Sequence, residues 1–285
     1  MVKTAAITFV YNEFFNLPIW ISYFGRQLGT KNLFVVDLGT TDGSTDKLGD
    51  VNKISVPREE FDEYAKTNFI NCLQQGLLNY YDAVIYTDAD ELVVPDPALY
   101  PDLNVYLEKN PRDYASCVGL NIIHILTLED PLDIAQPIMQ QRRYARFLSA
   151  TCKPSVSRVP MNWAPGFHCS EKPPQIDPDL FLFHTKWMDF NLSMQRQKIS
   201  REAAYSKRTV DQGMGAHSRY DNDRFVREGF FDPINELMRD GARKFEFSKE
   251  IAQIEAGSAS ASGVHFIPMN IAKIVEIPER FRGVF

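Results

Sequence analysis

No apolar run in this chain of 285 residues approaches the ~20 residues that a bilayer-spanning helix needs. The amino terminus also lacks the long apolar core of a signal peptide. Met1-Val2-Lys3-Thr4-Ala5-Ala6-Ile7 leads straight into a strand-like run. The expectation is a cytoplasmic protein without a transmembrane segment, for which peripheral membrane contact stays open. Cysteine is scarce. Cys72, Cys117, Cys152 and Cys169 form no Cys-x-x-Cys pair, which argues against structural zinc and dithiol redox chemistry and for free thiols. Positive charge is in deficit, with a net charge of −6, so no nucleic-acid partner is expected. No internal repeat is visible. Apolar residues make up 44% of the chain and charged ones 24%, an ordinary globular balance, and the length suits one large α/β domain with a C-terminal extension.

Strand-like and helix-like stretches alternate. Ala5 to Tyr11 reads as a buried strand that Asn12-Glu13 breaks. Asn16 suits a helix N-cap and Pro18 a first turn, and Leu17, Trp20, Ile21, Phe24 and Leu28 recur at helical spacing up to Gly29. Asn32 to Asp37 is a second strand, followed by the turn-rich Leu38 to Asp46. Lys53 to Pro57 is a third strand. A helix from Glu63 to Asn79 is expected to bury Ala65, Phe69, Cys72, Leu73 and Leu77. Ala83 to Tyr86 reads as a strand buried on both faces, and Pro95 and Pro97 end that unit. A helix around Leu99 to Lys109 should bury Leu99, Leu103, Tyr106 and Leu107, and Ser116 to Ile125 is strand-like. This order predicts an α/β fold with right-handed crossovers and a mostly parallel sheet flanked by helices. From Pro131 to Phe183 the periodicity fades into expected loops and short strands, ending in Leu180-Phe181-Leu182-Phe183 before His184. Helix-compatible stretches follow at Asp189 to Arg208 and around Arg224 to Arg239. Gly257 to Gly263 resembles a flexible linker, and the tail from Val264 is expected to dock back as a short strand.

Asp88-Ala89-Asp90-Glu91 places three acids just past a buried strand. Open α/β sheets bind ligands beyond the carboxyl ends of their strands. Two carboxylates flanking one small residue suit a hard divalent cation that keeps open positions for phosphate oxygens. Charge at the end of a buried strand needs a partner. Asp88 and Asp90 are therefore expected to hold a metal–diphosphate complex. In a parallel sheet, Tyr11-Asn12-Glu13 and Asp37 would lie on the same edge.

Taken in order, Val10-Tyr11-Asn12-Glu13, the run from Val35 through Asp37 and Gly39 to Ser44, and Asp88-Ala89-Asp90-Glu91 resemble the GT-A (Rossmann-like) nucleotide-sugar glycosyltransferases. Among these the family 2-like bacterial enzymes are nearest. The resemblance spans roughly the first third of the chain. One departure is that many members carry two adjacent acids before the glycine-serine turn, where this chain has Asp37-Leu38. The resemblance implies a catalytic domain over 1–188, with a nucleotide-sugar half over 1–110 and an acceptor-side half over 111–188. A helical C-terminal extension and tail cover 189–285. It implies an inverting, hexosyltransferase-like enzyme that uses Mn2+ or Mg2+. The donor would be a nucleotide diphosphate-sugar, UDP-linked, and the acceptor a hydroxyl of a saccharide or glycolipid, in polysaccharide or glycoconjugate synthesis. Tyr11 and Asp37 would contact the nucleobase, Glu13 and Lys66 the nucleotide, Asp88 the ribose and metal, and Asp90 the metal. His184 would complete the metal site, with Lys186 near the diphosphate. Glu91 would either support the metal ligands or cap a helix.

An inverting transfer needs a general base. Glu171 and His168 are the candidates, in the segment Gly166 to Lys172 where the resemblance places acceptor contacts. Asp130 and Asp189 are further ones. Arg142, Arg143, Arg146 and Lys153 offer either a phosphate or acidic-acceptor site or a solvated face. Trp163 and Trp187 offer either a sugar platform or packing. Three other functions compete. A glycosidase also uses paired acids, but they must flank a sugar at ~5–9 Å, and two acids one residue apart are closer to metal ligands. A nucleotidyltransferase usually has a glycine-rich basic loop where this chain has Tyr11-Asn12-Glu13-Phe14-Phe15. A non-catalytic sugar- or metal-binding module would need neither Tyr11 nor Asp37.

Overall fold

A computed structural model describes residues 2–219, 226–238 and 241–285. Strands β1 (Thr4–Val10), β2 (Leu33–Asp37), β3 (Asn52–Ser55) and β4 (Ala83–Tyr86) pair in parallel in the order β3-β2-β1-β4. Helix α1 (Asn16–Leu28) connects β1 to β2, and α2 (Glu63–Leu77) connects β3 to β4. Side chains alternate along β1. Ala6 and Val10 pack with Leu17, Trp20, Tyr23 and Phe24 of α1, whereas Ala5 and Ile7 pack with Ile70 of α2. Each face of the sheet is thus covered by a helix, which is why β1 and β4 are continuously apolar. This is the α/β class the sequence predicts. The chain moves outward from β1 to β3 and returns on the other side of β1 as β4. The strand order reverses between β1 and β4, and open α/β sheets leave a crevice at such a point.

Past β4 the pairing changes. The acid turn feeds β5 (Glu91–Pro95), which runs antiparallel to β9 (Ile176–Trp187). Between them in sequence lie α3 (Leu103–Lys109), β6 (Tyr114–Ile123), α4 (Ile138–Gln141), β7 (Tyr144–Leu148) and β8 (Val156–Ser157). β8 joins β4 to β6, and β6 also pairs with β7 and, in parallel, with β9. After β9 come α5 (Phe190–Glu202), α6 (Lys207–Asp211), a π-helical turn over Arg227–Phe231, α7 (Asp232–Leu237) and α8 (Ser248–Gly257). The stretch from Asp189 to Arg208 is therefore two helices, not one. Arg224 and Arg239, the ends of the second expected stretch, lie outside the described residues.

The expected linker is instead a β-hairpin of β10 (Ala259–Ala261) and β11 (Val264–Phe266). Ser262 and Gly263 at its tip both have positive φ, 52° and 76°, as a tight two-residue hairpin turn requires. The tail docks back as β12 (Ala272–Glu276), which pairs with β7. Other corrections concern which side chains face inward. Asn16 is not a cap. Its amide donates to Glu13 Oε2 at 3.1 Å, and its carbonyl accepts from Thr185 Oγ1 at 3.0 Å. Leu99 is exposed, and α3 starts after Asp102, which caps Val105 N at 2.8 Å. The inner face of α2 is Thr67, Ile70, Asn71 and Gln74, with Cys72 exposed. Its amides are not wasted. Asn71 exchanges two hydrogen bonds of 3.1 Å with the Trp163 backbone, and Gln74 donates to Ser157 Oγ and Val159 O at 2.9 Å each.

Arg142 shows the same principle with a charge. It is buried, donates to the carbonyls of Asp130 (3.0 Å), Gln141 (3.1 Å) and Met188, and reaches Asp189 Oδ2 at 3.3 Å. It ties the chain together and does not face a ligand, which removes it from the expected phosphate cluster. Arg143, exposed, pairs with Glu276. Replacing Arg142 with methionine would leave Asp189 without its guanidinium in the interior. Urea denaturation is expected to show a loss of about 3–5 kcal/mol, the usual cost of breaking a buried pair.

Candidate active site

A cleft of about 650 Å3 opens at the carboxyl ends of β1 and β4, with Tyr11, Glu13, Lys66, Asp88, Asp90 and His184 among its walls. The acid turn that forms its floor is fixed by its backbone. Thr87 Oγ1 accepts from Trp20 Nε1 at 2.8 Å, Glu91 N donates to Asp88 O at 3.0 Å, and Thr185 N donates to Asp90 O at 2.8 Å. The side chains of Asp88 and Asp90 can then diverge.

Asp88 lies between two lysines. Lys66 Nζ is 3.0 Å from Oδ1, Lys153 Nζ is 3.1 Å from Oδ2, and the Tyr86 hydroxyl donates to Oδ1 at 3.1 Å. Burial would raise this carboxyl's pKa, but Lys66 and Lys153 outweigh it and hold it well below the usual range. Lys153 also reaches Glu91 Oε1 at 2.7 Å. Burial raises Glu91 despite that contact. Glu91 begins a strand, so the helix-cap alternative does not apply.

Asp90 meets a histidine instead. Its Oδ2 is 3.2 Å from His184 Nε2, while His184 Nδ1 is 2.7 Å from Asn121 Oδ1. Burial raises Asp90, but His184 overrides it and brings the pKa down to about 2. Asn121 Oδ1 can only accept, so Nδ1 carries the proton. In the neutral ring Nε2 would then present a lone pair to a carboxylate, whereas in the charged ring it donates to Asp90. Two acceptors in contact call for a shared cation, either a proton or a metal. The carboxylate oxygen suits Mn2+ or Mg2+, with open positions left for phosphate oxygens, and the imidazole nitrogen beside it fits Mn2+ better than the harder Mg2+. Among the described residues no group of three or more His, Cys, Asp or Glu side chains is arranged to hold a metal. Asp88 is engaged by its lysines and would have to leave them to join Asp90 and His184.

Tyr11 lies at the other end of the floor, under Arg58, whose guanidinium carbon is 3.8 Å from the ring centroid. Arg58 also lies 5.4 Å from the Phe61 ring, and Phe61 meets Tyr205 edge-on at 5.6 Å. The turn after β1 is gripped from α5. Arg196 donates to the carbonyls of Tyr11 (3.1 Å) and Asn12 (2.9 Å) and pairs with Glu13. Burial outweighs Arg196 and pushes the Glu13 carboxyl up to about 7. Asp37 is not in the wall of the cleft. Its carboxylate is used by Thr40 N (2.9 Å), Thr45 Oγ1 (2.8 Å) and Lys53 Nζ (2.8 Å). These contacts tie Asp37 to the loop after β2.

The base candidates separate clearly. Asp189 is the buried N-cap of α5, accepting from Leu192 N at 3.1 Å, and Asp130 does not line the cleft. Glu171 is also outside the wall, its carboxylate turned to Asn162 (2.5 Å) and Lys172 (3.7 Å). His168 is in the wall. Its Nδ1 is 2.5 Å from the Ala150 carbonyl, which leaves Nε2 as the basic nitrogen. Trp163 is core, whereas Trp187 lines the cleft, stacked on Phe230 at 4.0 Å. Burial, reinforced by Lys153, lowers the pKa of His168 from 6.5 to about 4. The unfolded chain therefore binds a proton here before the folded one does. Its contribution to stability is full above pH 6.5 and is lost as pH falls from there towards 4. A His168→Gln variant should show a shallower fall in melting temperature over that window than the unsubstituted protein.

Three important contacts were not read from the sequence: Lys153 on Asp88, Arg58 on Tyr11 and Arg196 on the β1 turn. Lys153 was visible only as one of a cation cluster. Arg58, directly after Pro57, could have been noted as a charge closing a parallel strand. Arg196 carries no local signal.

No family model matches the chain, and no curated protein matches its sequence. Solved structures do resemble it locally. One is the mannosyltransferase PcManGT from Pyrobaculum calidifontis in complex with GDP-Man and Mn2+ (21% identity, 41% of this chain, 36% of that one, TM-score 0.29). Another is glucosyl-3-phosphoglycerate synthase from Mycobacterium tuberculosis in complex with Mn2+, UDP-Glc and phosphoglyceric acid (19%, 42%, 44%, TM-score 0.28). A third, CMP:2-keto-3-deoxy-manno-octonic acid synthetase complexed with CTP, is 9% identical over 84% of this chain and 99% of that one, with a TM-score of 0.31. The match thus spans well under half of each of the first two chains.

Proposed function

We propose that this chain is a metal-dependent, inverting hexosyltransferase that moves a sugar from a UDP-linked donor to an acceptor hydroxyl of a saccharide or glycolipid. The product would be a polysaccharide or glycoconjugate. One observation carries the proposal. The Asp90–His184 acceptor pair shares a single cleft with the Tyr11–Arg58 stack, at the point where the strand order reverses.

In this assignment the uracil lies against Tyr11 and Arg58. Glu13 and Arg196 hold the turn that presents Tyr11. Lys66, Lys153 and Lys186 line the cleft around the acids and face the diphosphate. When bound at Asp90 and His184, Mn2+ or Mg2+ supplies Lewis-acid stabilisation of the charge on the departing diphosphate. His168 Nε2 takes the proton of the acceptor hydroxyl as its oxygen bonds to the anomeric carbon and the nucleoside diphosphate leaves. Its pKa of about 4 keeps it in the basic form at neutral pH. Asp88 positions Lys66 and Lys153. Among the described residues no helix is long and apolar enough to cross a membrane.

A thermal-shift series tests the donor side. UDP with Mn2+ at 100 times its Kd should add about 2.7 kcal/mol of stability, and either alone should add less. No shift with any nucleotide sinks the proposal. Release of UDP from a UDP-hexose separates an enzyme from a binding module. Release of pyrophosphate from UTP and a sugar phosphate would instead indicate a nucleotidyltransferase.

A further inference from the structure

The cleft contains more cations than its acids neutralise. Glu13 is paired with Arg196, Asp88 with Lys66 and Lys153, Glu91 with Lys153, and Asp90 with His184, while Glu63 accepts from Gly166 N at 3.0 Å and faces Lys66, so the five acids of the cleft stand against six lysines and arginines. Arg58, Lys186 and Arg146 also line the cleft, and none is in a salt bridge among the described residues, although Asp90 attracts Lys186 from further off. Arg58 belongs to the Tyr11 end. Lys186 lies two residues beyond His184 and over the Trp187 ring, at 5.1 Å. Those two match the nucleotide and its diphosphate. Arg146 is left over.

Its position in the sheet says what it can meet. Arg146 on β7 is in register with Asn121 on β6, and Asn121 with His184 on β9. Residues in register on neighbouring strands share a face, so Arg146 projects on the same side as the Asn121–His184 pair. Strands lie about 4.8 Å apart, which places the Arg146 backbone roughly 10 Å from that of His184. This is past the diphosphate position on the side away from Tyr11. The guanidinium carbon lies 6.0 Å from the Phe230 ring, and Phe230 stacks on Trp187 at 4.0 Å with the planes inclined by 24°. Burial alone lowers the Arg146 pKa, with no carboxylate contributing. A half-buried guanidinium costs desolvation that an anionic ligand would offset, and its planar fork suits carboxylate or phosphate oxygens.

We infer that Arg146, with the Trp187–Phe230 wall, is an acceptor subsite for a saccharide bearing a carboxylate or a phosphate ester. The aromatic wall takes the apolar face of the sugar and Arg146 takes the anion. This inference rests on the glycosyl-transfer assignment.

The test is calorimetric titration of the full chain, saturated with UDP and Mn2+, with glucuronate, glucose 6-phosphate and glucose. At least one of the two anions is expected to bind tenfold or more tightly than glucose. Which of them does so tells carboxylate from phosphate ester. Arg146→Met should erase the preference, and Arg146→Lys should retain part of it. UDP binding by both variants serves as the folding control. Equal binding of glucose, a preference that survives Arg146→Met, or no binding of either anion overturns the inference while leaving the donor assignment standing. Failure of UDP and Mn2+ to bind the unsubstituted protein overturns both.

Discussion

Replacing Asp90 with alanine is expected to lower kcat by about 10²–10³-fold, the equivalent of several kcal/mol of lost Lewis-acid stabilisation. The fold should survive. The backbone carbonyl of Asp90, not its side chain, anchors the turn through Thr185 N and Oγ1, at 2.8 and 3.0 Å. Among the described residues the carboxylate hydrogen-bonds to His184 alone. The melting temperature should therefore stay within a few degrees of the unsubstituted value, while the Mn2+-dependent part of the UDP shift disappears. Asp37→Ala should behave differently. It would loosen the loop after β2 and raise the donor KM with a smaller change in kcat. UDP release by Asp90→Ala at close to the normal rate in chelated buffer would rule out a metal at this position.

Among the described glycines, Gly119 is the one whose replacement by alanine should have the largest effect on stability. Gly119 is buried in β6, and a β-carbon there would overlap the hydroxyl, the carbonyl carbon and the carbonyl oxygen of Thr151. Backbone lies in the way, so rotamer changes give no relief. Overpacking of this kind costs about 1–3 kcal/mol and sometimes more. At about 2–4 °C per kcal/mol, a fall in melting temperature of roughly 2–12 °C is expected. The displaced segment carries Lys153, whose carbonyl accepts from Cys117 N at 3.0 Å and whose ammonium pairs with Asp88 and Glu91. Nucleotide affinity should fall along with stability. Unchanged melting with unchanged UDP affinity would mean that the β6 packing described above is wrong.

These two positions show what a sequence can and cannot disclose. Asp90 is legible because its signal is local: an apolar run, a turn and a carboxylate pair. β1, β2, β4 and the core of β9 were visible for the same reason. Gly119 is silent, because its φ is ordinary and its neighbour Thr151 lies far along the chain. The inner face of α2 was misjudged because Asn71 and Gln74 spend their polarity on the backbone around residues 157–163, a use that no hydrophobic period reveals. Lys153 and Asp88 are 65 residues apart, and Arg196 and Tyr11 are 185 apart. Pairings at such separations depend on the sheet order, which itself becomes clear only once β8 and β9 are placed.

The pairing of β5 has a consequence for synthesis on the ribosome. Glu13, Asp88, Asp90 and Glu91 leave the ribosome early, clustered and uncompensated except by Lys66. Their other counter-charges, Lys153, His184 and Arg196, arrive 60 or more residues after Glu91, with β9 as the strand that β5 must wait for. A nascent chain halted before β9 would hold its acids in water, mutually repelling, beside an unsatisfied strand edge. In such a chain the acid turn would lack the strand and the counter-charges that fix its shape.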